Sequence, residues 1–310
     1  MTELQQFLEY KSKQAKAVQP TTLKKYEDQY KRLAVLFKSK GNFVLDLTEE
    51  EIIEVIDKLD ITATGKLNHL NIIVMIKNQH KQDIPKLLEY REELFKLKDL
   101  QTSKKVVQKL STLPPYQTIK SFIQDLYSQQ DWTRYLVNEL IFLYGFRNKD
   151  VNLFIIPFTD YRLMKKNEKE KEEAGNWLVL KKNSCDLVIN QYKTKTHYGS
   201  KLIPVKSKKI LEASTKLGTG YLLQDRNGLP VPDGNIGYYI RLYEFDGYKL
   251  KEGDYFKINI SHLQTLSNPI NKVKELAYTR GTRNLNDIDK YYNIENGKEE
   301  DLIKKLEEEM

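Results

Sequence analysis

The chain has 310 residues, 40% hydrophobic and 30% charged, with 51 Lys and Arg against 43 Asp and Glu, for a formal charge of +8. That make-up excludes a disordered chain and leaves room for one or two soluble domains with a real core. The single cysteine, Cys185, excludes an internal disulfide and a cysteine-based zinc site, and no apolar run is long enough to span a bilayer.

No charged-then-apolar leader opens the chain, so an intracellular protein with no membrane partner is expected. The sequence pI is near 9.1, which makes polyanions the first partner class to consider. The charge is uneven. From Glu295 onward seven acidic residues stand against three lysines, so this tail is at −4 and the remainder near +12.

In chain order, Leu23, Tyr26, Tyr30, Leu33 and Phe37 recur at helical spacing behind Pro20, Thr21 and Thr22, with lysines on the other face. Thr48 to Glu51 is a capping-box pattern, followed by the stripe Ile52, Val55, Ile56 and Leu59. Further helices are expected over Leu67–Ile76 and from Asp83, with Pro85 in the first turn of the latter. No strand signal precedes about residue 150. A helical unit over 1–100 is therefore predicted. A lysine-bearing linker over 101–115 follows, with a short helix from Ser103 to Leu113 before Pro114-Pro115.

A second domain is expected over 116–294. It opens with helices over Tyr116–Tyr127 and Trp132–Tyr144, the latter stopped by Gly145. Arg147 and Asp150 come just past that stop. Lys165–Ala174 is almost wholly charged and reads as a solvated loop. Trp177–Leu180, Asp186–Lys193 and Lys201–Val205 read as strands of a small antiparallel sheet, whose hairpin is QYKTKTHYGSKLIPV. On an extended strand, Lys193 and Lys195 would share one face and reach one phosphate. Helices are expected over Ser207–Leu217, around Tyr238, Tyr239, Leu242 and Tyr243, and over Val273–Ala277. The fold class is thus mainly α with a small antiparallel β-sheet. There is no phosphate-binding glycine loop, metal-ligand histidine spacing, GxSxG elbow or internal repeat. No cofactor is expected.

The order of these parts resembles the tyrosine recombinase (phage integrase) family, in the manner of a mobile-element or viral integrase. The likeness covers nearly the whole chain. TTLKKYEDQYKRLAVLF with DLTEEEI looks like the family's helical core-binding domain, and YGFRNKDV looks like the helix end that carries its first catalytic arginine, here Arg147, with Asp150 as the acidic residue three later. YKTKTHYGSKLIPV looks like the hairpin bearing the catalytic lysine, Lys193 or Lys195. ELAYTRGTRNLNDIDKYY looks like the segment that carries the nucleophile, and alignment on Gly281 puts it at Tyr291.

The resemblance implies DNA recombination or integration without a cofactor. A tyrosine attacks a DNA phosphate, a 3′-phosphotyrosyl link forms, and a 5′-hydroxyl later reverses it. It also implies double-stranded DNA as partner, gripped between the two domains, and assembly of copies on DNA, up to a tetramer. In the family the segment after the tyrosine often docks on a neighbouring subunit; Leu302, Ile303 and Leu306 form a short apolar stripe that could do so, and folding back on the basic body or a mobile tail are the alternatives. Two departures stand out. The family's His-x-x-Arg motif should fall near Phe256–Ser261, which reads FKINIS, and no arginine lies between Arg241 and Arg280. His262 sits one residue past that slot, where members often carry a non-catalytic histidine. After Gly281, where members carry His or Trp, this chain has Thr282. Arg280 and Arg283 flank it as candidate substitutes. A competent recombinase and a descendant that clamps duplex DNA without cutting it both fit, as does, less well, a basic protein with no DNA role.

Overall fold

The computed structural model describes residues 2–14, 18, 20–39, 42–110, 112–164, 175–264 and 269–282. The chain divides into two compact units, Met1–Val106 and Val107–Met310.

The first unit is helical: α1 (Glu3–Lys13), α2 (Pro20–Leu36), α3 (Glu49–Asp57), α4 (Ala63–Gln79) and α5 (Pro85–Leu110). α1 was not expected from sequence, although Thr2 and Gln5 form a capping box at its start. Its first residue, Glu3, is buried and accepts the backbone N–H groups of Phe43 (2.9 Å), Val44 (3.0 Å) and Leu45 (3.3 Å), so one carboxylate ties down the loop before α3. The Thr48–Glu51 capping box opens α3 as the pattern predicts. Phe7, Leu33, Ile52, Ile56, Leu70, Ile73 and Leu87 fill the core. α5 continues through the stretch expected as a linker as far as Leu110.

The second unit combines α6 (Tyr116–Ser128), α7 (Trp132–Tyr144), α8 (Phe158–Leu163), α9 (Lys195–Tyr198), α10 (Lys208–Leu217), α11 (Ile236–Tyr239), α12 (Glu252–Gln264) and α13 (Pro269–Arg280) with a five-stranded sheet. The strands are β1 (Leu153–Pro157), β2 (Asn176–Leu180), β3 (Cys185–Ile189), β4 (Lys201–Val205) and β5 (Gly220–Tyr221), in the order β4-β3-β2-β1-β5. The sheet is mixed rather than antiparallel, because β1 pairs with β2 in parallel. The connection between them, 158–175, contains α8 and the charged run Lys165–Ala174, which lies outside the described residues. α7 is the hub, packed against α6, α10, α12 and α13.

Buried Asn138 of α7 accepts the Tyr255 hydroxyl (2.7 Å), and Asn259 donates to the Phe142 carbonyl (2.5 Å), so α12 is keyed to α7 by polar as well as apolar contacts. The helix expected around Tyr238–Tyr243 is only the short α11. The chain then makes a hairpin of β6 (Glu244–Phe245) and β7 (Tyr248–Lys249) across an Asp246–Gly247 turn, with both residues in the left-handed region that such two-residue turns require.

Candidate functional site

α7 stops at Gly145, in the left-handed conformation (φ 64°), and the chain then turns through Arg147 to Asp150. Asp150 is 2% exposed and its Oδ2 accepts the Arg147 backbone N–H at 3.0 Å. Burial pushes its carboxyl up to about 6, against the opposing pull of that N–H and of the Arg147 charge.

α13 ends beside the same point, and the two helix ends exchange donors. Thr279 Oγ1 donates to the Tyr144 carbonyl (2.6 Å) and Arg280 Nη1 to the Gly145 carbonyl (2.9 Å). In return, Arg147 Nη1 donates to the Arg280 carbonyl at 2.5 Å. Helix C-termini leave carbonyls unpaired and carry partial negative charge, so two converging ends call for cations and hydroxyls. Arg280 is 5% exposed, lies 4.3 Å from the Phe256 ring and pairs with Glu252 at 3.6 Å. The other Glu252 oxygen accepts the Asn148 backbone N–H. Arg280 therefore brings a guanidinium to the very helix segment, 256–261, where the sequence lacks the expected arginine.

A third cation comes from β4. Its side chains alternate so that Lys201, Ile203 and Val205 face inward while Leu202, 64% exposed, faces out. Lys201 is 1% exposed and its Nζ donates to the Tyr278 (2.5 Å) and Thr279 (3.3 Å) carbonyls. The rings of Tyr192, Tyr278 and Tyr198 surround it, with centroids at 4.0, 4.9 and 5.4 Å. Burial lowers its pKa to about 8; Asp150 opposes this and Arg147 adds to it.

Gly281 (φ 71°) closes α13, with its N–H on the Tyr278 carbonyl (3.0 Å) and the Thr282 N–H on the Ala277 carbonyl (2.9 Å). A Cβ at Gly281 would lie 2.2 Å from Thr194 Oγ1 and 3.1 Å from the Tyr192 ring. The β3–β4 connection sits that close because Thr194 Oγ1 donates to the Gly281 carbonyl (2.9 Å) and the Tyr198 hydroxyl to the Thr282 carbonyl (3.3 Å).

The residues singled out in sequence fall as follows. Arg147, Asp150, Arg280 and Thr282 meet in one neighbourhood, joined by the bonds above. Lys193 and Lys195 are not on an extended strand: β3 ends at Ile189, Lys193 lies exposed in a turn and Lys195 opens α9. The cause is tertiary, since Asn176 Oδ1 accepts both the Asn190 and Gln191 backbone N–H groups at 2.9 Å and ends the ladder there. His262 stacks on Tyr116 of α6, with ring centroids 3.7 Å apart. Tyr291 and Arg283 lie outside the described residues, as does the acidic tail. Sequence reasoning missed Lys201. The alternation with Ile203 and Val205 was the signal that placed it on the inward face.

Chemically, the neighbourhood sets Arg147, Arg280 and Lys201 against Asp150 and Glu252. Arg147 is half-buried, and its guanidinium N–H groups beyond the bond to Arg280 take no acceptor among the described residues. It is thus a fork oriented from behind with donors to spare, the form that suits a phosphate oxygen. Among the described residues no group of His, Cys, Asp and Glu side chains could hold a metal ion, and no helix is long and apolar enough to cross a membrane.

No family model and no curated protein matches this chain. Among solved structures, the crystal structure of XerA recombinase is similar over 94% of this chain and 93% of that one, at 12% identity and a TM-score of 0.35. At that score the likeness does not establish a shared fold.

Proposed function

We propose that this protein breaks and rejoins DNA strands in the manner of a tyrosine recombinase, with Tyr291 as nucleophile and Arg147 on the scissile phosphate. What supports the reading is one observation: segments far apart in sequence, each picked out for the same chemistry, adjoin in the second unit. Arg147 bonds the Arg280 carbonyl, and Thr194, between Lys193 and Lys195, bonds the Gly281 carbonyl.

In the proposed reaction the Tyr291 oxygen bonds to phosphorus as the bond to the 5′-oxygen breaks, and the tyrosyl proton is lost as the leaving oxygen gains one. The reverse step restores the tyrosine. Tyrosine ionises near pH 10, so about one in a thousand is anionic at neutral pH, and the site must supply about 4 kcal/mol. Arg147 would stabilise charge on the pentavalent phosphate, and Lys193 or Lys195 would supply the leaving-group proton. Asp150 holds the Arg147 backbone. Copies would assemble on double-stranded DNA.

The first unit offers a surface of matching chemistry. A groove of about 700 Å³ along α2, α4 and α5 is lined by three cations, Lys25, Arg32 and Arg91, against one carboxylate, Asp28, together with the amides of Asn68, Asn71 and Asn78. Arginine and lysine answer phosphates, and amides and arginine read base edges.

One observation favours binding without cutting. The buried Arg280 guanidinium is already engaged by the Gly145 carbonyl and Glu252, so it answers the fold before it answers a substrate. The two readings separate in one experiment. Tagged protein is mixed with a random-sequence library of nicked duplexes, denatured, captured and stripped of free DNA, and the retained DNA is sequenced. The cutting reading expects retained DNA that disappears in Tyr291→Phe and falls steeply in Arg147→Ala. Salt-sensitive binding before denaturation with nothing retained afterwards would leave the binding reading in its place, and no binding at low salt would sink both.

A further inference from the structure

Five consecutive carbonyls, from Tyr278 to Thr282, each accept a side-chain donor. Lys201 Nζ holds the first two (2.5 and 3.3 Å), Arg147 Nη1 the third (2.5 Å), Thr194 Oγ1 the fourth (2.9 Å) and the Tyr198 hydroxyl the fifth (3.3 Å). Four of these five acceptors are served from one stretch of chain, 194–201. A helix end needs partners for its last carbonyls, but backbone bonds already close this one: Gly281 N–H on Tyr278 and Thr282 N–H on Ala277. The carbonyls of Gly281 and Thr282 lie past the helix, and a helix cap does not require them to be held. The closeness is also built in from the other side, since only a residue without Cβ lets Thr194 approach Gly281.

We propose that the β3–β4 connection is a clamp on the chain leaving α13, and that Thr194, Tyr198 and Lys201 are positioning residues which set the point from which the chain runs on toward Tyr291. None of the three need touch DNA. Lys201 is shut in by three rings and two carbonyls, whereas exposed Lys193 in the same connection is placed to meet a ligand. The clamp deepens the strand-cleavage reading and depends on that reading for its catalytic consequence. Its mechanical part stands without it.

The test uses the full chain and two readouts. In the absence of DNA, hydrogen exchange of the Gly281 and Thr282 amides should quicken about tenfold in a Thr194→Val, Tyr198→Phe double variant, which removes two hydroxyls and keeps shape. Thr194→Ser should exchange like the wild type, because the donor remains. In the covalent-capture assay the double variant should bind DNA within about twofold of wild type and form adduct up to about 100-fold more slowly, as displacement of a reacting group predicts. Lys193→Ala should leave the exchange of these amides unchanged. Wild-type exchange in the double variant would overturn the clamp, and wild-type adduct kinetics would overturn its role in positioning the nucleophile. If the wild type forms no adduct at all, it is the cleavage reading that falls, and the exchange experiment still decides the clamp.

Discussion

The ends of α7 and α13 make an instructive pair. Both close on a glycine in the left-handed region, Gly145 (φ 64°) and Gly281 (φ 71°), and each accepts an arginine from beyond or within the other. Their surroundings differ. A Cβ at Gly145 would meet side-chain carbons of Phe256 and Leu276 at 3.0 and 3.1 Å, in an apolar pocket that can give slightly. A Cβ at Gly281 would meet a hydroxyl at 2.2 Å that is itself hydrogen-bonded. Gly145 serves a helix stop. Gly281 serves a stop and a docking contact: both ends receive side-chain donors, but only at Gly281 does a donor, Thr194, occupy the space a Cβ would take.

The contrast breaks most visibly at Gly281. Gly281→Ala adds the left-handed penalty of about 1–2 kcal/mol to a clash with Thr194, and should lose more than about 2 kcal/mol in chemical denaturation. Thr194→Ala in the same chain should recover part of that loss, and strict additivity of the two changes would show that the contact is not what limits the site. Gly145→Ala should cost less, about 1–2 kcal/mol, because its neighbours can shift. Equal costs at the two glycines would erase the distinction.

A subtler effect concerns Lys201. Its folded pKa, about 8, lies below the ordinary 10.5, so between these values the unfolded chain holds the proton more tightly than the folded one. Stability should therefore rise with pH across that window relative to Lys201→Met, which lacks the group. A difference curve that is flat, or falls, would mean that the charge is not buried as described. Smallest of all, Lys193→Ala should change stability by less than about 0.5 kcal/mol, since the side chain is exposed.

The helix ends were legible because their signals are local. A periodic apolar run stopped by glycine marks Gly145, and Thr48 with Glu51 marks the start of α3. β1 was not read, since Leu-Phe-Ile-Ile-Pro lies between two neighbouring strands and shows no alternation to separate strand from helix. The hairpin lysines were misplaced for a non-local reason: Asn176 halts β3 from another strand, and nothing near Lys193 announces it. The Asp246–Gly247 turn, by contrast, is a local signal that the aromatic spacing around Tyr238 and Tyr243 concealed. Of the site, Arg147 and Asp150 were visible through their place after a helix stop. Lys201 was hidden because a lysine opening a strand reads as solvated, until the register of Ile203 and Val205 turns it inward. Arg280 stands out in the sequence only as a neighbour of Thr282, and its burial against Phe256 depends on α12 packing that no spacing encodes.

Attack by Tyr291 on DNA is tested by mass spectrometry of the captured adduct after protease and nuclease digestion, which leaves a nucleotide on the attacking residue. With Tyr291 as nucleophile, a nucleotide joined through its 3′-phosphate is expected on Tyr291 and absent from Tyr292 and from every other tyrosine. A nucleotide on another residue, or DNA captured without any covalent mark, would contradict that role.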